Sequence, residues 1–268
     1  MIQWQGARVL ITGASSGLGE AFAHAVAARG AVPILVARRR TRLAEVALAI
    51  QSAHGIQPEV LACDLLLPQA RAELVTRVGT VDVIIPNAGW GPVGRIADLG
   101  LRAHQEMLTL NTQAVVEVVH GLLPLLRRRR QGGILFVAST AAFQPCPNFA
   151  SYGATKAFVL SWSQALRQEL APEGIAVTTL CPGPTATEFF QAANIPRQRV
   201  PVLAAGLLDP VAVVEAGLRG LERNRGLVIP GLRDRVLVQA QRLLPRPLVA
   251  WIAGRSLGLG STSPHGNP

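Results

Sequence analysis

The sequence predicts an α/β fold of the Rossmann type: a doubly wound parallel sheet of about seven strands with helices on both faces. Short apolar runs alternate with helical patterns along the first 230 residues. Each run is apolar at nearly every position, which is typical of parallel strands that are covered on both sides. The first run also leads directly through a glycine-rich turn into a helix, as in dinucleotide-binding βαβ units.

The predicted strands are short runs rich in Val, Ile and Leu, and segments of helical periodicity separate most of them. The strands are predicted over Arg8–Ile11, Ile34–Ala37, Glu59–Ala62, Val81–Ile85, Ile134–Ala138, Ala176–Leu180 and Leu227–Ile229. The helices are predicted over Leu18–Ala28, Arg42–Ala53, Gln69–Val78, Leu101–Arg130, Tyr152–Leu170 and Pro210–Arg223. Asp209 is a suitable N-cap for the last helix, because it is followed by proline at the first helical position.

The sequence predicts one main domain followed by a C-terminal extension and a tail. Residues 1–230 contain no repeat or linker and are predicted to form one dinucleotide-binding catalytic domain. The segment of about 185–205 is rich in small and apolar residues and too long for a simple connection, so it is predicted to be a substrate lid. Residues 231–255 form a basic amphipathic extension, and the Gly/Ser/Pro-rich residues 256–268 are expected to be a disordered tail.

The composition excludes several classes of protein. With 49% hydrophobic and 16% charged residues in a chain of 268, disorder is excluded. No apolar run is long enough for a transmembrane helix, and the N-terminal residues lack the features of a signal peptide. The three cysteines form no CxxC pair, which favours a cytoplasmic location. The net charge of +10 would suit nucleic acid, but no nucleic-acid partner is predicted, because the distribution of the charge carries more information than its total.

One pair of residues stands out from the rest of the composition. Lys156 is the only lysine among 26 cationic residues, and Tyr152, four positions earlier, is the only tyrosine. Residues at i and i+4 share a face of a helix, so both side chains can enter one pocket. An arbitrary Tyr-x-x-x-Lys would more often be a half-buried surface pair. Because neither residue type occurs anywhere else in the chain, the spacing of Tyr152 and Lys156 favours a functional pair.

The chemistry of this pair points to acid/base catalysis. A free phenol has a pKa of about 10, and an ammonium ~4 Å away at an effective dielectric of ~20 could lower it by up to roughly 3 units. Desolvation opposes this effect, so the figure is an upper bound. Ser139, at the end of the fifth predicted strand, can hydrogen-bond the same substrate oxygen. Arginine would replace Lys156 poorly because its head is larger and planar.

The glycine-rich turn runs from Thr12 to Gly19 with the spacing Gly-x-x-x-Gly-x-Gly. Such a turn lets the backbone approach a pyrophosphate at the N-terminus of the following helix, although a turn without a ligand would look similar. Further features occur in order along the chain. They are Asn87-Ala88-Gly89 after the fourth strand, Asn111 within a long helix, Ser139, the Tyr152/Lys156 pair and Pro182-Gly183-Pro184-Thr185 after the sixth strand.

Taken together, these motifs resemble the short-chain dehydrogenase/reductase family over roughly residues 6–230. The resemblance implies that Ser139, Tyr152 and Lys156 are catalytic, that Asn111 completes a proton relay, and that Lys156 also binds ribose hydroxyls. It implies a homodimer or homotetramer formed through the two long helices. Pro86 departs from the family pattern, which usually has a second Asn before Asn-Ala-Gly. The cofactor-binding residues implied are Gly13, Ser15, Ser16, Gly17, Leu18, Gly19, Asp64, Leu65, Asn87, Ala88, Gly89, Tyr152, Lys156, Pro182, Gly183 and Thr185.

The charges after the second strand predict NADP(H) rather than NAD(H). An NAD site usually has Asp or Glu there to bind the ribose 2′-hydroxyl, whereas this strand ends in Ala37 and is followed by arginines. Cations are unfavourable at a helix N-terminus, and a 2′-phosphate would turn that repulsion into charge-assisted contacts. We expect Arg38 to bind the phosphate and Arg39 to assist, with Arg40 and Arg42 mostly solvated. A basic loop that serves only solubility is the alternative.

The predicted reaction is reversible hydride transfer between nicotinamide and a carbonyl or secondary alcohol. The expected substrate-contacting residues are Ser139 and the aromatic residues Trp90, Phe143, Phe189 and Phe190, so an apolar substrate is predicted. Cys146 and Pro147 are expected in the same wall. The histidines show no metal-ligand spacing, so no metal site is predicted, and Asp234 is assigned to a solvated surface.

Two alternatives remain open from the sequence. The first is a nucleotide-sensing regulatory protein of the same fold that lacks turnover, which the complete set of Ser139, Tyr152 and Lys156 argues against. The second is a reductase attached to a membrane surface through Arg233–Arg255. Pro245 and Pro247 interrupt that segment, which favours packing over the cleft or a subunit interface instead.

Overall fold

The computed structural model describes residues 2–129, 132–189 and 206–256. A seven-stranded sheet in the order β3-β2-β1-β4-β5-β6-β7 forms its centre, and every neighbouring pair of strands is parallel. The predicted Rossmann-type fold is therefore confirmed. The strands are β1 Arg8–Thr12, β2 Val32–Ala37, β3 Glu59–Ala62, β4 Val83–Ile85, β5 Gly132–Val137, β6 Ile175–Leu180 and β7 Leu227–Val228.

Helices follow the strands and cover both faces of the sheet. They are α1 Gly17–Ala27, α2 Arg40–His54, α3 Pro68–Arg77, α4 Leu101–Leu108, α5 Ala114–Arg129, α6 Ala150–Leu170, α7 Pro210–Glu222, α8 Leu232–Gln241 and α9 Arg246–Ser256. Asp209 caps α7 as the sequence predicts, because its carboxylate accepts hydrogen bonds from the backbone N–H groups of Val211 and Ala212.

The strands are mostly apolar because the molecule has a hydrophobic core on each side of the sheet. Leu10 belongs to one core cluster and Ile11, the next residue of β1, to the other. Side chains alternate between the two faces of a strand, so both neighbours are fully buried. This arrangement explains why the strands show no alternation of polar and apolar residues.

The long helix predicted over Leu101–Arg130 is interrupted. α4 ends at Leu108, a π-helical turn spans Thr109–Gln113, and α5 then continues to Arg129. A π-helical turn accommodates one extra residue and is common at functional sites. Its central residue, Asn111, is only 1% exposed.

The C-terminal extension folds as two short helices, α8 and α9. Val238 of α8 and Val249 and Ala253 of α9 are buried, which attaches the extension to the domain. Within the described ranges, no helix combines the length and the apolar character that crossing a bilayer would require.

The strand order reverses between β1 and β4, the two neighbours at the centre of the sheet. In doubly wound sheets, ligands bind in the crevice beyond the carboxyl ends of the strands at this point. The loops after β1, β2, β3, β4, β5 and β6 all open towards that edge.

Candidate active site

A cleft of about 780 Å³ lies along the carboxyl ends of the strands, at the reversal of strand order. Loops from both halves of the sheet line it, together with the start of α6 and the end of α9. The sequence-predicted residues that line it are Gly13, Ser15, Ser16, Gly17, Leu18, Arg38, Arg39, Asp64, Leu65, Asn87, Ala88, Gly89, Trp90, Ser139, Tyr152, Lys156, Pro182, Gly183, Thr185 and Phe189.

The glycine-rich turn after β1 has the shape of a phosphate cradle. Gly13 and Gly17 have φ of +69° and +57°, in the left-handed region that favours glycine. Gly19 does not line the cleft; a Cβ there would lie 2.1 Å from the carbonyl oxygen of Gly13. The third glycine therefore allows α1 to pack closely behind the turn. Because the first residues of α1 line the cleft, the site fits the pyrophosphate of a dinucleotide.

Thr12, which was not predicted as a site residue, connects the loops after β1 and β4. Its hydroxyl oxygen accepts hydrogen bonds from the backbone N–H groups of Asn87 and Ala88 at 3.0 and 2.9 Å. The Asn87 side chain donates back to the Thr12 carbonyl at 2.9 Å. Three hydrogen bonds thus hold these loops at a fixed separation. A threonine ending an apolar strand beside a glycine was the only available signal.

The loop after β3 is held by a buried arginine that was also missed. Arg71 of α3 is 1% exposed and forms a salt bridge with Glu117 of α5. Its guanidinium also donates to the carbonyl oxygen of Leu65 at 2.7 Å. Asp64 accepts a hydrogen bond from the N–H of Leu66. Arg71 therefore fixes the backbone of the loop that carries Asp64 and Leu65.

The arginines after β2 occupy different environments. Arg39 donates to the hydroxyl and carbonyl oxygens of Ser15 at 3.3 and 3.1 Å and forms a 3.2 Å salt bridge with Glu188. Arg42 pairs with Glu20 and Glu45. Arg38 lines the cleft, and its side chain makes no hydrogen bond or ion pair with another described residue. α2 has no acidic residue in its first turn.

Ser139, Tyr152 and Lys156 meet at the centre of the cleft. Ser139 lies two residues after the end of β5, and its Oγ accepts a hydrogen bond from the N–H of Ala141 and is hydrogen-bonded to Tyr152. Tyr152 and Lys156 lie one turn apart on α6, and both are buried. Lys156 Nζ donates to the Val137 carbonyl oxygen at 2.9 Å and lies 5.7 Å from the centre of the Tyr152 ring.

Burial dominates the titration of both groups. It raises the pKa of Tyr152 above its ordinary value, an effect that the hydrogen bond with Ser139 opposes. It lowers the pKa of Lys156 to about 8. Lys156 is not among the groups that shift the pKa of Tyr152, so the lowering expected from the i,i+4 spacing is not found. Tyr152 is therefore a proton donor at neutral pH.

Asn111 lies behind the cleft rather than on its surface. Its amide donates to the carbonyl oxygen of Trp90 at 2.9 Å and to the Thr155 hydroxyl at 3.1 Å, and its Oδ1 accepts from the N–H of Trp90. A Cβ on Gly89 would lie 3.1 Å from Asn111 Oδ1 and 3.4 Å from Lys156 Nζ. The side chain of Asn111 thus fixes the loop after β4 beside Lys156.

An aromatic wall surrounds the tyrosine. Phe149 stacks on Tyr152 with ring centres 4.2 Å apart, and Phe189 lies 5.5 Å away. A Cβ on Gly91 would lie 2.8 Å from the Tyr152 ring, so glycine makes room for the ring. Neither Phe149 nor Gly91 was predicted, because loop packing rather than a motif brings them there.

Several predicted substrate contacts need correction. Phe143 does not line the cleft; it packs against a core cluster, because it ends the 3₁₀ turn Thr140–Phe143 on the side facing the core. Cys146 lines the cleft, whereas Pro147 does not. Phe190, residues 190–205 of the predicted lid and residues 257–268 of the tail lie outside the described residues.

The C-terminal helices complete the wall. Ala253 and Ser256 of α9 line the cleft. Asp234 of α8, assigned to a solvated surface, is half-buried, and a Cβ on Gly183 would lie 2.1 Å from its carboxylate. Burial raises the pKa of Asp234. The helix is turned so that this acidic side chain faces the loop after β6.

Comparison with known proteins identifies the family. The family model for short chain dehydrogenases matches residues 7–198. This span is well over half of the chain, so the chain belongs to the short-chain dehydrogenase/reductase family of oxidoreductases.

Three solved structures illustrate the similarity. A short-chain dehydrogenase from Sphingobium yanoikuyae in complex with NADPH is 33% identical, with a TM-score of 0.79 over 88% of this chain and 94% of that one. The bulky-bulky ketone specific alcohol dehydrogenase from Comamonas testosteroni is 30% identical, with a TM-score of 0.75 over 88% and 92%. A 3-ketoacyl-(acyl-carrier-protein) reductase from Brucella melitensis complexed with NADH is 29% identical, with a TM-score of 0.75 over 85% and 97%.

Proposed function

We propose that this protein is an NADP-dependent oxidoreductase that interconverts an apolar, bulky ketone and its secondary alcohol. The observation that carries the proposal is the meeting of Ser139, Tyr152 and Lys156 in an aromatic-lined cleft beside the glycine-rich turn. A bound nicotinamide would supply or accept the hydride. The residues of this chain would orient the carbonyl and move its proton.

In the proposed reduction, Tyr152 donates its hydroxyl proton to the carbonyl oxygen as the carbon accepts hydride. The phenol is protonated at neutral pH, which is the form this step needs. Ser139 donates a hydrogen bond to the same oxygen and positions it. Lys156 is mostly protonated below pH 8, and its ammonium group stabilises the phenolate that remains after the proton has been donated. In the oxidation the proton moves in the opposite direction.

The arginines after β2 support a preference for NADP(H). Arg38 faces the cleft without an ion pair to a described residue, whereas Glu188 partly neutralises Arg39. The first turn of α2 contains no acidic residue of its own, and the carboxylates nearby pair with Arg39 and Arg42 rather than with Arg38. A 2′-phosphate would complete this site through charge-assisted hydrogen bonds, with Arg38 as the main contact. The solved relatives include complexes with NADPH and with NADH, so they favour neither coenzyme by themselves.

The wall around Tyr152 supports an apolar substrate. Trp90, Phe149 and Phe189 line the cleft, and Val93 and Leu110 extend the apolar surface. Such a wall favours an apolar substrate, because a polyhydroxylated sugar would place hydroxyl groups against aromatic rings. The similarity to an alcohol dehydrogenase that is specific for bulky ketones agrees with this substrate class.

We also propose a homodimer or homotetramer that forms through the long helices. Leu108 of α4 and Phe158 of α6 are exposed, and Phe158 stacks on Trp162 with ring centres 6.1 Å apart. Sedimentation equilibrium of the wild type and of Phe158→Glu tests this assembly, and a wild-type monomer would contradict it.

A turnover screen tests the substrate class. The protein is incubated with NADPH and either bulky aryl or alkyl ketones, small ketones or polyhydroxylated ketoses, and the absorbance at 340 nm is followed. We expect the bulky apolar ketones to give the highest kcat/KM. Preferred turnover of a ketose would contradict the proposed substrate.

A further inference from the structure

The two C-terminal helices carry an unusual concentration of exposed apolar side chains. Of the fifteen large hydrophobic residues that are exposed in the described part of the chain, eight fall within residues 232–252. Single exposed apolar residues are normal, but a concentrated patch marks an interaction surface. The exposed apolar residues of these two helices and of the turn between them are called here the C-terminal face, and its main members are Val236, Leu237, Leu243, Leu248, Trp251 and Ile252.

α9 carries apolar residues on its exposed side as well as on its buried side. Leu248, Trp251, Ile252 and Arg255 occupy positions i, i+3, i+4 and i+7, and all four are exposed. Val249 and Ala253, on the other side, are buried and attach the helix to the domain. An amphipathic stripe normally packs on the core, so a stripe turned to solvent lacks its partner.

The charges around the C-terminal face have one sign. Residues 232–256 contain five arginines and a single acidic residue, Asp234. Asp234 is turned inward against Gly183, so it does not neutralise the outer surface. Arg242, Arg246 and Arg255 form no salt bridge with a described residue, and the Arg255 guanidinium lies 4.1 Å from the centre of the Trp251 ring.

We propose that the C-terminal face docks on the surface of an anionic lipid bilayer. Apolar side chains flanked by arginine and tryptophan suit the boundary between headgroups and acyl chains. A second copy of this chain fits less well, because a symmetric contact would bring the same arginines together. The prolines at 245 and 247 do not prevent docking, since each of the two short helices presents its own apolar residues.

Docking would also place the cleft near the lipid. Ala253 and Ser256, which line the cleft, belong to the same helix as Trp251 and Ile252. An apolar ketone dissolved in the bilayer could then reach the cleft without crossing much water. This consequence rests on the proposed function, whereas the docking itself does not.

Vesicle co-sedimentation of the full chain tests the proposal. The vesicles consist of phosphatidylcholine alone or of phosphatidylcholine mixed with phosphatidylglycerol. We expect binding to the mixed vesicles that weakens in high salt and is much smaller for phosphatidylcholine alone. Because no turnover is measured, a failed docking prediction is distinguishable from a failed enzymatic one.

Paired variants localise the contact. Arg242→Gln with Arg246→Gln should weaken binding about 25-fold, at roughly fivefold per arginine. Leu243→Gln with Trp251→Gln should weaken it about tenfold or more. The matched controls are Arg223→Gln with Arg225→Gln, and Ile96→Gln with Leu101→Gln, which change equally exposed residues elsewhere and should bind as the wild type. Thermal melting verifies that all four variants are folded.

Three results would overturn the proposal. The first is no sedimentation of the wild type with anionic vesicles. The second is an equal loss of binding in the control variants. The third is self-association in sedimentation equilibrium that the Leu243/Trp251 variant abolishes while the wild type ignores vesicles, because the occupant would then be a second copy.

Discussion

The two sides of the cleft are built in different ways. On the coenzyme side, backbone groups and short polar contacts fix the loops after β1, β3 and β4, as the hydrogen bonds of Thr12 and Arg71 show. On the substrate side, aromatic rings and apolar side chains from segments far apart in the sequence pack around Tyr152. The first side is specified by local backbone geometry, and the second by tertiary packing. We therefore expect coenzyme binding and substrate binding to respond separately to mutation.

The largest expected effect tests the centre where the two sides meet. Tyr152→Phe removes the donated proton and should lower kcat by about 10³-fold, while the coenzyme Kd changes by no more than a few-fold. Lys156→Arg should also lose most activity, because a planar guanidinium cannot occupy the compact position of Nζ beside Val137. Steady-state kinetics and coenzyme fluorescence titration provide the two measurements. Near wild-type turnover in either variant would refute the mechanism.

The next prediction concerns the coenzyme side alone. Arg38→Ala should lower kcat/KM for NADPH roughly 10- to 100-fold, the range for a charge-assisted hydrogen bond, and leave the value for NADH unchanged. Arg40→Ala is the matched control, because Arg40 is exposed beside it and does not line the cleft. An equal loss with both coenzymes would contradict a phosphate-binding role.

Lys156 should reduce stability at neutral pH. Burial lowers its pKa to about 8 in the folded protein, so between pH 8 and its ordinary value the unfolded chain binds more protons. The free energy of unfolding of the wild type should therefore increase as pH rises through this interval. Lys156→Met, which keeps the apolar stem, should be about 1–3 kcal/mol more stable than the wild type at pH 7, and this difference should shrink towards pH 10. Denaturant unfolding at both pH values tests the sign, and a constant difference would contradict it.

The smallest effects sharpen the comparison between the two sides. Thr12→Val leaves the N–H groups of Asn87 and Ala88 without their acceptor and should weaken coenzyme binding about tenfold, with little change in ketone KM. Thr12→Ser keeps the hydroxyl and should behave as the wild type. Phe149→Leu should have the opposite effect to Thr12→Val. It should raise the KM for the ketone by roughly three- to fivefold and leave the coenzyme Kd unchanged. Equal effects of both changes on both ligands would mean that the sides are not independent.

The same contrast explains how much could be predicted from the sequence. The fold and the positions of Gly13, Gly17 and Asn87 at strand ends follow from alternation and local motifs, and the structure places these residues along one edge. Gly19 was assigned to the ligand, but its contact is with the Gly13 carbonyl, a role that requires the helix to be seen. The π-helical turn around Asn111 was invisible because periodicity continues on both sides of it.

For the substrate side, the apolar nature could be predicted from the sequence, but not the full set of residues that form it. Its apolar nature follows from Trp90 and Phe189, yet Phe149, Gly91 and Ala253 were missed and Phe143 was misplaced. No local sequence pattern indicates which loops pack around the Tyr152 ring. The pKa of Tyr152 was misjudged for a related reason: the i,i+4 spacing gives the distance between two residues, whereas burial depends on the surrounding chain.

The most direct test of the account is the ratio of kcat/KM for NADPH and NADH, measured at 340 nm with the wild type and a bulky apolar ketone. We predict that NADPH is oxidised in proportion to the ketone consumed and is preferred by at least about tenfold, because Arg38 would bind its 2′-phosphate. A preference for NADH would contradict the coenzyme assignment. Coenzyme binding without any oxidation, across all ketones and alcohols tried, would contradict the proposed reaction.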